Sequence, residues 1–227
     1  FEDFELIIVD DGSTDDTYAE VKRFLGAEPD RIRYYKLPHT GKIGKIRNYG
    51  NQRARGELIV VQDSDDISLP DRLSAIWEEY KRTGSQVIYH AVYWCFPIDG
   101  IILRKFKEAE SYDKQRIIHT QYIPAHIAAR KDCFLKVPYD EELQVSDDWL
   151  LLIEFALAGF TFHNLNRSLY VYWYSMDSVN ITREREGKRR SDMQHITKLL
   201  RDKYNLKFTA ETVQTENGEI TKHEIIQ

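Results

Sequence analysis

Short apolar runs alternate with amphipathic segments through the first half of the chain. The apolar runs predict strands at Glu5–Val9, Ile32–Leu37 and Leu58–Gln62, and the amphipathic segments predict helices at about Asp15–Leu25, Ile43–Ala54 and Pro70–Thr83. In the third helix, Pro70 suits the first helical position and Gly84 follows as a stop signal. Because this alternation is typical of βαβ units, the pattern predicts an α/β fold.

The second half is predicted to contain longer strands and a mixed sheet. The pattern predicts a hairpin from Val87–Phe96 to Ile101–Phe106, a short helix near Asp132–Val137, a long helix at Asp147–Ala158, strands near Phe160–Leu165 and Leu169–Tyr174, a charged helix from Arg183 to about Tyr204, and a final hairpin of Phe208–Val213 and Ile220–Ile225 about Asn217-Gly218. We therefore divide the chain into residues 1–106, 107–182 and 183–227.

Composition excludes several classes of protein. The chain has 227 residues, of which 42% are hydrophobic and 30% charged, as expected for a globular protein with a substantial core. No apolar run approaches the roughly 20 residues that span a bilayer. A formal net charge of −5 argues against a protein that coats nucleic acid. We therefore expect no nucleic-acid partner. Contacts with phosphate groups are expected to come from a few individually placed side chains.

The cysteines and the termini bear on location. Cys95 and Cys133 each stand beside apolar residues, which predicts free buried thiols in a reducing compartment. The first residues lack the basic start and the hydrophobic stretch of a signal peptide, so we expect a cytoplasmic protein. The helix at 183–204 has eight Lys or Arg against four Asp or Glu, which is usual for a solvated face. A peripheral contact with an anionic membrane surface is the alternative.

Two acidic clusters follow predicted strands. Asp10 and Asp11 come directly after the first strand, and Asp63, Asp65 and Asp66 come after the third. Ligands bind outside the carboxyl ends of strands in an open α/β sheet, so both clusters face one pocket if the two strands are parallel neighbours. Carboxylates there suit a divalent cation that grips substrate phosphates. A single Asp-x-Asp, by contrast, is more commonly a solvated turn.

Four ordered motifs make the acidic clusters more specific. They are Asp10-Asp11-Gly12-Ser13, Lys45-Ile46-Arg47-Asn48, Gln62-Asp63-Ser64-Asp65-Asp66 and Ser146-Asp147-Asp148-Trp149. Together they resemble the family 2 glycosyltransferases over about Phe4 to Thr182. The resemblance implies the GT-A fold, a Rossmann-like mixed sheet flanked by helices, and sugar transfer that inverts the anomeric centre. The C-terminal helix and hairpin at 183–227 lie outside the resemblance.

The resemblance implies a donor-binding role for residues of the first two motifs. Asp11 matches the aspartate that reads the uracil edge of a UDP-sugar, with Asp10 and Ser13 in the same turn. Arg47 is expected near the base or the diphosphate, because a cationic fork offsets phosphate charge well. A solvated helix arginine is the alternative interpretation for Arg47.

The third motif is the predicted metal site. By the resemblance, Asp63 lies near the ribose, and Asp63 and Asp65 are the expected ligands of Mg²⁺ or Mn²⁺. Such a cation stabilises the departing nucleoside diphosphate. Asp66 is expected to bond to the acceptor or the donor sugar, with capping of the next turn as the alternative.

The fourth motif is the predicted catalytic centre. Asp148 matches the general base that accepts the proton of the attacking hydroxyl. Asp147 and Trp149 are expected near the acceptor. The alternatives are a helix N-terminus that favours negative charge and an aromatic anchor in the core.

The chain departs from the family pattern in two places. The usual strand and helix before the Asp10-Asp11 motif are missing, so we expect about 30 to 40 further residues upstream, roughly one βαβ repeat. Around Tyr172–Met176 the sequence lacks the arginine and histidine that many relatives carry. His126 or Arg183 are the candidates to replace them.

The resemblance implies an inverting glycosyltransferase that moves a sugar from a nucleotide-sugar donor to an acceptor hydroxyl on a saccharide, lipid or surface polymer. The match of Asp11 favours a UDP-linked donor. Nucleotidyl transfer is an alternative, since it also uses acidic strand ends with Mg²⁺, but the chain shows no glycine-rich phosphate loop. A non-catalytic module that binds nucleotide-sugars is the second alternative.

Overall fold

A computed structural model describes residues 1–97, 101–105, 110–173, 188–215 and 218–226. The first unit is a parallel pair of strands joined by a helix: β1 (Leu6–Asp10), α1 (Thr17–Leu25) and β2 (Ile32–Lys36). Leu6 lies opposite Ile32 in this two-stranded sheet. Helix α2 (Ile43–Arg53) follows and packs on β1, where Gly50 allows the side chain of Val9 to approach closely.

The larger sheet has six strands. Along the chain the elements are β3 (Leu58–Val60), β4 (Ile67–Ser68), α3 (Arg72–Thr83), β5 (Val87–Pro97), β6 (Ile101–Lys105), α4 (Lys114–His119), β7 (Ala128–Arg130), α5 (Lys131–Lys136), α6 (Asp147–Leu157) and β8 (Phe162–Trp173). The strand order is β3-β7-β5-β8-β4, with β6 paired to β5. Among the described strands of this sheet, only β5 and β8 form a parallel pair. The predicted mixed α/β fold is therefore confirmed.

The C-terminal part begins with α7 (Lys188–Tyr204) and ends with the antiparallel hairpin of β9 (Lys207–Thr215) and β10 (Gly218–Ile226). Ile196 and Leu200 of α7 are buried in the core, whereas Lys198 and Arg201 are exposed. A membrane contact of this helix stays a prediction. None of the helices in the described ranges combines the length and the apolar character that a membrane crossing requires.

The core lies on both faces of the six-stranded sheet, because alternate residues of β5 point to opposite sides. Val87, Tyr89 and Ala91 pack with α6 and with α4, α5 and α7 in the main cluster. Ile88, on the other face, packs with Ile76 of α3. Helix α6 is apolar almost all round, and so it is buried along most of its length.

Several element predictions need correction. Strands β4 and β7 and helix α4 were not predicted, because two or three paired residues and a six-residue helix leave little periodicity to detect. Two strands were expected where β8 is continuous, with Asn166 at a φ of 37°. The predicted turn at 98–100, the end of the second hairpin strand at Phe106, the segment 174–187 and Asn217 lie outside the described residues. Cys95 and Cys133 are free and buried, as predicted.

The two acidic strands are not neighbours within the described ranges. Strand β1 pairs with β2 in the small sheet, whereas β3 pairs with β7 in the large one. The two strands therefore do not form the shared sheet edge that was expected to place both clusters in one pocket. Contacts through α2 connect them instead.

Candidate active site

The turn after β1 is fixed by Asp10. Its buried carboxylate accepts the backbone N–H of Ser13 at 2.7 Å and the hydroxyl proton of Tyr34. Burial acts to raise the pKa of Asp10, but these hydrogen bonds hold it below its ordinary value. Gly12 has a φ of +77°, and a Cβ there would lie 2.7 Å from the backbone nitrogen of His39. Glycine is thus required where the turn meets the segment before α2.

Asp11 ties this turn to the start of α2. Its two carboxylate oxygens accept the backbone N–H groups of Thr40 at 2.8 Å and Gly41 at 2.7 Å. The Thr40 hydroxyl also donates to Oδ1 at 3.1 Å, so these three bonds leave about one of the four acceptor positions of the carboxylate for a ligand donor. The side chain is 24% exposed and lies 3.2 Å from the His39 imidazole.

Arg47 of α2 joins the second and fourth sequence motifs. Its guanidinium donates to Asp63 Oδ1 at 2.7 Å and to Asp147 Oδ2 at 3.1 Å. It also lies over the ring of Tyr139, 5.2 Å from the centroid. The side chain is only 16% exposed, so the solvated-surface alternative for Arg47 is wrong. One cation therefore links the end of β3 to the beginning of α6.

Asn48 sets the position of α2 relative to the segment before α6. Its amide donates to the Tyr139 carbonyl at 2.9 Å, and its carbonyl accepts the Tyr139 N–H at 2.9 Å. This reciprocal pair is buried, and it places the preceding residue, Arg47, beside the N-terminus of α6. The sequence motif contained Asn48, but its partner 91 residues away could not be read from the motif.

Asp63 and Asp66 lie in the turn between β3 and β4, which we name the acidic turn, and both are close to His126. His126 Nε2 lies 3.2 Å from a carboxylate oxygen of Asp63 and 3.2 Å from one of Asp66. One ligand atom from each of the three lies within 4.8 Å of the others. Asp65 is exposed and does not belong to this group, so its role as a metal ligand stays a prediction.

Charge within this group is balanced by cations. Burial acts to raise the pKa of Asp63, but Arg47 and His126 hold it well below its ordinary value. Burial acts to lower the pKa of His126, and the two carboxylates more than compensate and raise it. An imidazole must be neutral to bind a metal, so a cation would displace the His126 proton.

The donor set fits a divalent cation. Two carboxylates are the oxygen ligands that Mg²⁺ and Mn²⁺ prefer, and one imidazole is compatible with Mn²⁺. Within the described parts of the chain, Asp66 Oδ2 is buried and has one polar contact, to His126 Nε2 at 3.2 Å. A buried carboxylate oxygen in that state is suited to a metal ion or a ligand donor.

Residues of β8 and α3 support the acidic turn and His126. The Tyr170 hydroxyl of β8 accepts the N–H of Asp63 at 3.1 Å, and its ring stacks on His126 at 4.1 Å. The N–H of Trp173 donates to Asp66 Oδ1 at 2.7 Å. Arg72, which is 1% exposed, donates to the His126 carbonyl at 3.1 Å. Neither Tyr170 nor Arg72 belongs to one of the four sequence motifs, so the motifs did not indicate this support.

The N-terminus of α6 presents two carboxylates in different surroundings. Asp147 is buried against Arg47, and burial raises its pKa to about 6, with Asp148 adding to the rise and Arg47 opposing it. Asp148 is half-buried and accepts the Gln121 amide N–H at 2.8 Å. Gln121 was not identified from the sequence. Asp147 is therefore a buried carboxylate paired with a cation, whereas Asp148 is the more accessible carboxylate.

Trp149 connects α6 to the core. Its indole N–H donates to the Ile117 carbonyl at 2.8 Å, and its ring packs against the main cluster. These contacts favour the anchor interpretation, and an acceptor-facing role stays a prediction. Of the two candidates to replace the missing family cations, His126 lies in the acidic group and Arg183 lies outside the described residues.

A family model described as "Glycosyl transferase family 2" matches residues 1–143, well over half of the chain. The chain belongs to glycosyl transferase family 2. Asp10, Asp11, Arg47 and Asp63 lie within the matched range, whereas Asp147 and Asp148 lie four and five residues beyond its end.

Curated relatives agree with the family assignment. The succinoglycan biosynthesis protein ExoO of Rhizobium meliloti is 32% identical over 171 residues, which is 68% of this chain and 48% of ExoO. The glycosyltransferase GlyG of Streptococcus pneumoniae serotype 4 is 21% identical over 76% of this chain and 62% of GlyG. The family 2 chain thus spans about half to three fifths of these relatives.

Solved structures show the same fold. The crystal structure of S. aureus TarS matches with a TM-score of 0.63 and 22% identity, covering 87% of this chain and 34% of TarS. A shorter TarS structure in complex with UDP-GlcNAc matches with a TM-score of 0.62 and 22% identity, covering 78% of this chain and 51% of that one. At this identity the likeness supports the GT-A fold of the family 2 chain.

Proposed function

We propose that this family 2 glycosyltransferase transfers a sugar, with inversion, from a UDP-linked donor to an acceptor hydroxyl on a saccharide, lipid or surface polymer. The observation that carries the proposal is the bridge of Arg47 between Asp63 and Asp147. It connects the predicted donor-binding turn to the helix that begins with the predicted base. The UDP-GlcNAc complex of a structural neighbour supports a UDP-linked donor.

The donor is held by the first two motifs in this proposal. Asp11 accepts an N–H of the uracil edge while its bonds to Thr40 and Gly41 fix its orientation. Asp10 and Ser13 support the turn. Arg47 lies beside Asp63, where its guanidinium faces the space in which we place the ribose and diphosphate.

A divalent cation completes the donor site. We assign Asp63, Asp66 and His126 as its ligands, with the originally predicted Asp65 as the alternative to Asp66. When bound, the cation supplies Lewis-acid stabilisation of the leaving nucleoside diphosphate. Electron paramagnetic resonance titration with Mn²⁺ separates the two assignments, because Asp66→Asn weakens binding in ours and Asp65→Asn weakens it in the alternative.

Asp148 acts as the general base. The amide of Gln121 and the N–H of Trp149 hold its carboxylate, and Asp147 is already committed to Arg47. As the acceptor oxygen bonds to the anomeric carbon, Asp148 takes the hydroxyl proton and the bond from that carbon to the diphosphate oxygen breaks. UDP leaves from the opposite face, which inverts the centre.

The decisive experiment incubates the protein with Mn²⁺, an acceptor mixture and a panel of nucleotide-sugars, and measures nucleoside diphosphate release. We expect UDP release from one donor and a loss of about 100-fold in kcat for Asp148→Asn, with unchanged UDP affinity. Asp132→Asn, which alters an exposed carboxylate, serves as the matched control.

Two other results would replace the proposal. Pyrophosphate release from a nucleoside triphosphate would assign the site to nucleotidyl transfer. Donor binding without turnover, unchanged in Asp148→Asn, would indicate a non-catalytic nucleotide-sugar module.

A further inference from the structure

Helix α7 lies beyond the residues that the family model matches, and it packs against the segment that leads into α6. We name this segment, Tyr139–Ser146, the approach loop. It contains no helix or strand, and it ends at the residue before Asp147. What holds this loop therefore determines where the α6 carboxylates lie.

Asp192 of α7 holds the C-terminal half of the approach loop. Its carboxylate is buried and one oxygen, Oδ2, accepts the N–H groups of Gln144 at 2.9 Å and Val145 at 2.7 Å. Hydrogen bonds to a charged acceptor are stronger than neutral ones. Ser146, which stands at the N-cap position of α6 without a side-chain capping bond, follows Val145 directly.

His195, one helical turn further on, holds the N-terminal half. Its Nε2 lies 2.9 Å from Asp140 Oδ2. The other oxygen of Asp140 accepts the N–H of Glu142 at 2.8 Å, which closes a turn within the loop. Asp192 and His195 are three residues apart on one helix face, so they contact the loop together.

Helix α2 and the residue before it also contact the approach loop. Asn48 makes its reciprocal pair with Tyr139, and Lys42 Nζ donates to the Glu142 carbonyl at 2.7 Å. A Cβ at Gly44 would clash with the Asp140 carbonyl oxygen, which shows how closely the two backbones approach. The loop thus has contacts with both α2, which carries Arg47, and α7.

We propose that α7 is a positioning element of the active site, in which Asp192 and His195 fix the approach loop so that Asp147 meets Arg47 and Asp148 faces the acceptor. The proposal rests on the proposed function, in which Asp148 is the base. Neither residue touches the reacting atoms. They act through the loop, and so they affect the chemical step more than donor binding.

The test compares Asp192→Ala, Asp192→Asn and His195→Gln with Asp202→Asn, an exposed residue of the same helix. Hydrogen exchange is measured across residues 140–148, together with kcat, donor KM and UDP affinity. We expect Asp192→Ala to raise exchange and lower kcat by about tenfold or more, since small misplacements are costly in catalysis, with donor KM and UDP affinity within about threefold. Asp192→Asn retains an acceptor oxygen and should lie between it and the control.

The outcomes are separable. Unchanged exchange across the loop in Asp192→Ala, or faster exchange with wild-type kcat, would overturn the proposal. If Asp192→Ala does not fold, Asp192→Asn and His195→Gln decide it by the same criteria. A wild-type protein without turnover on any donor would remove the proposed function, and the exchange data would still show whether α7 fixes the loop.

Discussion

Arg47 neutralises two carboxylates that reach it from positions 16 and 100 residues away in the chain. Both partners are at least partly withdrawn from water, Asp147 with 5% and Asp63 with 31% of the side chain exposed. A pair of this kind contributes little net stability compared with apolar packing, but removal of one member leaves a charge without compensation.

Arg47→Met should therefore lower the free energy of unfolding by about 2–4 kcal/mol, because it leaves Asp63 and Asp147 beside each other without their cation. Urea denaturation at pH 7 measures the effect. Lys45→Met removes an exposed charge from the same helix and should have an effect below about 0.5 kcal/mol. Equal effects of the two substitutions would show that the bridge has no structural weight.

Asp147 should make stability depend on pH. Its folded-state pKa of about 6 lies above the ordinary 3.8, so between these values the folded protein holds a proton that the unfolded chain has lost. The contribution of Asp147 to wild-type stability is present at low pH and is lost as the pH rises towards and past 6.

Asp147→Asn removes this titration. The unfolding free energy of the variant relative to wild type should rise from pH 4 to pH 7, by at most about 3 kcal/mol, the linkage equivalent of that pKa difference. Chemical denaturation at several pH values measures it. A difference that is flat or falls over this range would contradict the assignment.

The sequence motifs predicted the residues of the site better than the contacts between these residues. Arg47, Asp63 and Asp147 were all predicted site residues, because their neighbours in the chain form recognisable motifs. The bridge between them was not predicted, since it depends on a tertiary approach across 100 residues. Asp66 was expected near a sugar, and the structure places it with Asp63 and His126.

Among the elements, β8 supports the acidic turn between β3 and β4. The hydroxyl of Tyr170 accepts from the Asp63 N–H and lies 3.3 Å from the Gln62 amide nitrogen. The backbone of Trp173, three residues later, donates to Asp66. The acidic turn is thus hydrogen-bonded to a central strand rather than free in solution, which limits the entropy that a bound ligand must overcome.

Tyr170→Phe should loosen the acidic turn without changing the fold. The Asp63 N–H loses its partner, and we expect a loss of about 1–2 kcal/mol in unfolding free energy. Mn²⁺ affinity should fall by about tenfold, the usual cost of removing a support from metal ligands. Calorimetric titration with Mn²⁺ measures this, with Tyr18→Phe on the exposed side of α1 as control. Wild-type affinity in Tyr170→Phe would mean that the hydroxyl does not order the turn.

Periodicity predicted the elements that are long enough to show it. Helices α2, α3 and α6 and strand β5 lie within a few residues of their predicted bounds. Strand β7 has three residues and was missed, although it joins β3 to β5 and so completes the sheet. Its sequence, Ala128-Ala129-Arg130, has no β-branched or aromatic residue, so pairing with neighbours decides its conformation.

At the scale of the molecule, the site lies where the first two predicted regions, residues 1–106 and 107–182, meet. The six-stranded sheet takes β3, β4, β5 and β6 from the first of these regions and β7 and β8 from the second. Arg47 and Asn48 then join α2 to the start of α6 across the same boundary. The boundary near residue 107 stays a prediction. Because the two regions share a sheet, a ligand that contacts both must stabilise the whole fold.

Binding of UDP with Mn²⁺ should therefore raise the melting temperature of the whole protein. A ligand at 100 times its dissociation constant contributes about 2.7 kcal/mol to the folded state, which for a chain of this size corresponds to about 5–10 °C. Differential scanning fluorimetry measures the shift. EDTA should remove most of it, because Asp63 and Asp66 would hold the cation that offsets the charge of the diphosphate. Asp63→Asn should lose the shift and the exposed-site variant Asp132→Asn should keep it. An equal UDP shift with Mn²⁺ and with EDTA would show that the donor binds without the metal, and the acidic turn would then need another role.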